Sequence, residues 1–148
     1  MSGPGSIEVT KRLSAPITEV FRWWTESALV ERWMGPIGDV RATIDPRVGG
    51  SLRVVMSGQG VVIEHTGEFL EIDPPRRLVF TWKSRFTGQQ PSVVTVELEP
   101  DGDDATLVRI VHAELPEAAV ASHRDGWGGM LARLEGELGM EVQRTNGH

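Results

Sequence analysis

From Ile7 to Leu13 the chain alternates, with Ile7, Val9, Lys11 and Leu13 on one side and Glu8, Thr10 and Arg12 on the other. This predicts a first strand with one mainly apolar face. The period then lengthens. Ser14-Ala15-Pro16 offers a capping residue and a proline suited to a first helical turn, and Val20, Phe21 and Trp24 follow at helical spacing. A second short helix, capped by Thr25 or Ser27, carries Leu29, Val30 and Trp33 on one face and stops at Gly35-Pro36.

Beyond it the pattern is β-rich: Val40 to Ile44, Ser51 to Met56, Val61 to Ile72, Leu78 to Lys83, Val93 to Glu99 and Thr106 to His112. Asp45-Pro46, Gly49-Gly50, Ser57-Gly58-Gln59-Gly60, Asp73-Pro74-Pro75, Thr87-Gly88 and Asp101-Gly102-Asp103 separate them as turns. No stretch between them is long enough for a crossover helix, so the strands form an antiparallel meander. Pro116 opens the last element, where Val120, His123, Trp127, Met130 or Leu131, Leu134 and Leu138 recur at steps of three and four. Gly126, Gly128 and Gly129 inside this helix predict a kink or a close backbone approach.

The expected fold class is therefore α+β, a curved antiparallel sheet covered by a long C-terminal helix, with two short helices after the first strand. If the curvature is strong, side chains cannot fill the middle, and a cavity remains between sheet and helix. One domain is expected over residues 7–139, with 1–6 a disordered lead-in and 140–148 a flexible tail.

Composition narrows the partners. Fifteen basic against 21 acidic residues give a net charge of −6, which disfavours nucleic acid. The absence of cysteine removes disulfides, thiolate metal sites and thiol nucleophiles. No apolar run reaches the roughly 18 residues of a membrane span, and the first twenty residues lack a signal-like core, so membrane insertion is not expected and a cytoplasmic location is. Phosphate loop, nucleophile elbow and zinc-helix motifs are missing, and Gly58-Gln59-Gly60 runs into Val61-Val62-Ile63 rather than a dinucleotide fingerprint. Neither a cofactor nor a metal is expected.

Certain segments carry a resemblance: Ala15-Pro16-Ile17-Thr18-Glu19-Val20-Phe21, Trp33-Met34-Gly35-Pro36, Val48-Gly49-Gly50, the stretch from Ile72 to Trp82, and Gly126-Trp127. In this order and spacing the chain resembles the START-like (SRPBCC) helix-grip superfamily. Within it, the chain is similar to the C-terminal domain of the activator of the ninety-kilodalton heat-shock protein ATPase. The resemblance implies an antiparallel sheet of about seven strands gripping the last helix. That superfold carries lipid binders, cyclases, receptors and co-chaperone domains, so function has to come from the site. The eukaryotic co-chaperone has a further N-terminal domain for which this chain has no room, so ATPase stimulation is not expected.

Leu78, Phe80 and Trp82, then Val94, Val96 and Leu98, then Val108, Ile110 and His112 are read as the inward rows. The expected lining of the cavity is Trp33, Phe80, Trp82, Ile110, His112, Trp127 and Met130, with Trp33 as a gate. His112 is either a ligand-facing imidazole or one satisfied by a backbone carbonyl. In the segment Val61 to Ile72, a bulge at Gly67 turns His65 and Glu68 inward, whereas without it His65 faces solvent. Arg53 is read as an outer-face charge, and His112, His123 and a glutamate as too loosely spaced for a metal.

The leading expectation is non-catalytic binding of a small hydrophobic molecule, at micromolar strength, for sensing, transport or stress response. Ile110→Trp is expected to block it without unfolding the protein. A cyclase- or dehydratase-like enzyme with His112 as base and His65 or Glu68 as partner is the second reading. A chaperone-associated module using the sheet's outer face is the third. Homodimerisation through an edge strand stays open, since no long exposed apolar strand compels it.

Overall fold

The computed structural model describes residues 5–35 and 39–146. Its elements run β1 (Gly5–Leu13), α1 (Ile17–Thr25), α2 (Ser27–Val30), β2 (Asp39–Ile44), β3 (Ser51–Gly58), β4 (Val61–Asp73), β5 (Arg77–Trp82), β6 (Ser92–Pro100), β7 (Thr106–Leu115) and α3 (Val120–Asn146). Single 3-10 turns at Arg85–Thr87 and Glu117–Ala119 precede β6 and α3. All seven strands form one antiparallel sheet in the order β1-β7-β6-β5-β4-β3-β2. The chain closes on itself by placing its first and last strands side by side, with Val9 opposite Ile110.

Each inward row is buried as the alternation requires: Leu78, Phe80 and Trp82 on β5, Val94, Val96 and Leu98 on β6, Val108, Ile110 and His112 on β7. Trp127, Leu131, Leu134 and Leu138 of α3 join them in one core with Trp23, Trp24 and Trp33. The outer face carries a ladder of ion pairs, Glu8–Arg109–Glu97–Arg77–Glu71, that crosses five strands. Being solvated, such pairs shape the surface more than they stabilise it. Arg53 lies on that face too, exposed and paired across strands with Glu64.

Several local expectations change. Pro16 takes the N-cap position of α1 and no side chain caps it. Ser27, expected as a cap, instead accepts the Ile44 N–H at 3.0 Å, and Glu31 accepts the Ala42 N–H at 2.9 Å. Those two donors belong to β2, a sheet edge, so α2 and the turn after it occupy groups that would otherwise recruit another strand. Residues 140–146, read from the sequence as tail, continue the α3 helix. Of the lead-in, Gly5 and Ser6 belong to β1, and residues 1–4 lie outside the described residues, as do Pro36 of the helix stop and residues 147–148.

Gly67 decides the path of β4. A Cβ there would sit 1.8 Å from the Thr81 carbonyl oxygen, so only glycine allows this approach. No bulge occurs at Gly67: the β3–β4 register is regular from Gly58↔Val61 to Ser51↔Glu68, and the shift falls between Phe69 and Glu71. His65 and Phe69 consequently face inward on one phase while Glu68 faces solvent. The bulge one strand segment later restores Ile72 to the inner side.

Candidate functional site

Aromatic rings form a continuous series through the core. Trp33 meets Trp24 edge-on with centroids 4.7 Å apart, Trp24 stacks on Trp127 at 5.9 Å, Trp127 lies 5.8 Å from Trp82, and Trp82 stacks on His65 at 4.5 Å. These rings fill most of the volume that the curved sheet encloses. The gap bounded by Trp24, Met34, Phe69 and Phe80 amounts to only about 10 Å³. The hollow interior expected from curvature is therefore mostly packed, and the open space has moved to one end of the helix–sheet interface.

That space is a cleft of about 180 Å³ between α3 and the β3–β4 hairpin. Met56, Ile63 and His65 form its sheet wall, Trp82 its floor, Phe86 of the 3-10 turn its rim, and Ser122, His123, Gly126, Trp127 and Met130 its helix wall. None of these is an acid, a lysine or an arginine. Gly126 lies here because α3 turns it toward the opening: a Cβ at Gly126, Gly128 or Gly129 would meet nothing within 4 Å, so the close approach expected of these glycines is absent.

Next to the cleft a buried hydrogen-bond chain fixes the floor. The Trp127 indole N–H donates to His112 Nδ1 at 2.9 Å. An indole nitrogen can only donate, so Nδ1 accepts and the imidazole proton sits on Nε2. Nε2–H then donates to Ser92 Oγ at 2.7 Å, and Ser92 donates to the Trp82 carbonyl oxygen at 2.5 Å. Every donor and acceptor in this hydrogen-bond chain is used, and the two tryptophans of the cleft, Trp82 of the floor and Trp127 of the helix wall, are tied to β6 and β7 through one histidine. Burial, reinforced by His123 and His65, pushes the His112 pKa down to about 3, so the ring is neutral. With both nitrogens engaged and no exposed surface, His112 has no lone pair for a substrate proton. The sequence alternatives both miss this: the partners are a hydroxyl and an indole, neither a ligand nor a backbone carbonyl.

His65 is different. It is 6% exposed, lines the cleft, and has its Nδ1 sealed from solvent without a hydrogen-bond partner. Burial lowers its pKa to about 4, against an opposing pull from the Val54 backbone. His123 Nδ1 lies 2.8 Å from the Ala119 carbonyl oxygen, which fixes the proton on Nδ1 and leaves Nε2 an acceptor when the ring is neutral. The Ser122 hydroxyl is already donated to the same carbonyl at 3.1 Å.

Of the residues expected to line the cavity, Trp82, Trp127 and Met130 meet at the cleft. Phe80, Ile110, His112 and Trp33 lie outside its lining, buried in the core. Trp33 is fully buried with its N–H donated to the Trp23 carbonyl oxygen at 2.9 Å, a packed position rather than a mobile gate. Ile110 is likewise fully enclosed, so a tryptophan there would overpack the core and leave the cleft untouched. Sequence reasoning passed over Met56, Ile63, Phe86 and Ser122. Met56 continues the inward row Leu52–Val54, and Ile63 shares the phase of His65, so those two were legible once the β4 phase was known. Among the described residues no group of three or more His, Asp or Glu side chains is placed to hold a metal, and no helix is long and apolar enough to cross a membrane.

Comparison with known proteins places this architecture. Among curated proteins nothing matches the chain. An HSP90 activator from Plasmodium falciparum is 28% identical over 90% of this chain and 96% of its own, with a TM-score of 0.75. CalU16 from Micromonospora echinospora is 29% identical over 94% of this chain and 79% of its own, with a TM-score of 0.70. The AHSA1 protein of Silicibacter pomeroyi, at 24% identity and a TM-score of 0.78 over 93% of this chain and 99% of its own, shares the fold. The family described as activator of Hsp90 ATPase homolog 1-like protein matches residues 14–139, and this chain belongs to it.

Proposed function

We propose that the chain binds a small apolar molecule, without catalysis, in the cleft between α3 and the β3–β4 hairpin. The observation that carries this reading is the uncharged, aromatic-walled space of about 180 Å³ itself, which is comparable to cavities of roughly 150 Å³ that hold benzene. A ligand burying about seven carbons at roughly 0.8 kcal/mol each gains about 5–6 kcal/mol, a dissociation constant near 0.1 mM. The cleft is too small for the micromolar strength that a larger hollow would support. The catalytic reading loses the base it named, because His112 is sealed, and of the two partners it named Glu68 faces solvent.

Titrating tryptophan fluorescence with aromatic and aliphatic compounds tests this, since Trp82 and Trp127 both line the cleft. Gly126→Phe is the matching block, because its side chain grows from a helix position with free space around it. Saturable quenching that Gly126→Phe removes supports the reading. Quenching unchanged in a folded Gly126→Phe protein rejects this cleft.

The family membership and the likeness to the Plasmodium falciparum HSP90 activator favour a second reading, a chaperone-associated module. It predicts co-purification with the ninety-kilodalton chaperone and a change in that chaperone's ATPase rate on addition of this chain. No co-purification and an unaltered ATPase rate would remove it.

A further inference from the structure

The polar groups of the cleft point to one chemistry of ligand. Resting on the binding reading above, we propose that the cleft selects small, neutral, planar aromatics that carry a hydrogen-bond donor, the simple phenols, over both their donor-free analogues and aromatic carboxylates. Besides the two indoles, three polar side chains line the cleft. Ser122 has given its proton to the Ala119 carbonyl oxygen. His123 has given its Nδ1 proton to the same oxygen, so it offers an acceptor nitrogen. His65, more than nine-tenths buried, lines the cleft and has an unpartnered Nδ1 shut off from solvent. The cleft thus offers the imidazole acceptor of His123, with the His65 ring as a second polar group, among aromatic and thioether surface.

A carboxylate entering this site would lose its hydration and meet the His123 acceptor, with no lysine or arginine in the lining to replace the lost water. Arg85, beside Phe86 in sequence, lies over the Phe86 ring, 5.3 Å from its centroid, and neither it nor Arg124, beside His123, is part of the lining. A hydrocarbon would fill the space but leave a desolvated imidazole nitrogen unpaired, which binding penalises. A phenol satisfies both demands: its ring stacks between Trp82 and the helix wall, and its hydroxyl donates to His65 or His123. The volume of about 180 Å³ limits the ligand to a single ring with a short substituent.

The test uses the whole chain labelled with nitrogen-15, following the indole N–H resonances while p-cresol, 4-methylanisole and 4-methylbenzoate are titrated separately. Binding of p-cresol about three- to tenfold tighter than 4-methylanisole, with 4-methylbenzoate weakest, is the expected result. His65→Phe and His123→Phe, each keeping a ring, then identify the acceptor, because the variant that loses it binds p-cresol and 4-methylanisole equally. Equal affinity for these two in the unmodified protein overturns the donor proposal while leaving the cleft as a binding site. Stronger binding of 4-methylbenzoate overturns it as well. No response to any of the three, or responses that persist in Gly126→Phe, overturns the cleft reading and this proposal together.

Discussion

Lowering the pH from 7.5 to 5 should destabilise this protein by about 4 kcal/mol, because two buried histidines must stay neutral for the fold to persist. His65 and His112 have ordinary values near 6.5 and folded values of about 4 and about 3. The folded pKa lies below the unfolded one in both cases, so below pH 6.5 the unfolded chain binds more protons than the folded one. Stability is therefore full above pH 6.5 and declines as the pH falls toward the folded values. At pH 5 each histidine of the unfolded chain lies about 1.5 pH units below its midpoint, which amounts to about 2 kcal/mol apiece. That figure is insensitive to the depth of the folded values, since both lie well below 5. The groups in contact with these rings carry no negative charge: Trp82 on His65, and Trp127, Ser92 and His123 on His112. Among the described residues, no hydrogen bond or ring contact joins a carboxylate to either imidazole. Urea unfolding at pH 7.5, 6.5, 5.5 and 5 reads the effect, as a fall in midpoint of about 2 M for a slope near 2 kcal/mol/M. His65→Phe should remove about half of the decline. A midpoint that stays constant between pH 7.5 and 5 would refute the argument, since it would mean that both rings titrate normally in the folded state.

Other outcomes follow from single contacts. Ser92→Ala strands the His112 Nε2–H and the Trp82 carbonyl in the core and should cost about 2–4 kcal/mol in denaturant unfolding, with loss of the cleft floor's order visible in the indole resonances. Gly67→Ala drives a methyl group into the Thr81 carbonyl and should destabilise by about 3 kcal/mol or prevent folding, as judged by thermal unfolding. Gly126→Ala has the opposite sign: with nothing within 4 Å of the new methyl and a better helix former in place, it should stabilise by about 0.5–1 kcal/mol, a Tm rise of about 2–4 °C. Ile110→Trp should unfold the protein rather than leave a folded non-binder, and a native circular dichroism spectrum with lost ligand binding would contradict the placement of Ile110.

Much of the architecture is a local property and could be read from one dimension. Alternation places Leu78, Phe80 and Trp82 on one side whatever surrounds them, because successive strand side chains point to opposite faces. The stripe from Trp127 to Leu138 commits α3 to a buried face for the same kind of reason. The segments from Ala15 to Gly126-Trp127 were sufficient for the family.

The site was decided by relations between distant segments. Whether His65 points in or out depends on the phase of β4 against β3, and that phase is set where Gly67 meets Thr81 and where the register shifts after Phe69. Alternation defines two faces without saying which one meets the core. His112 became a sealed structural imidazole only because Ser92 from β6 and Trp127 from α3 arrive at its two nitrogens, residues 20 and 15 positions away. The cleft, finally, is the volume left over once five large rings have packed, and where packing leaves room is a property of the whole assembly of side chains, not of any stretch of sequence.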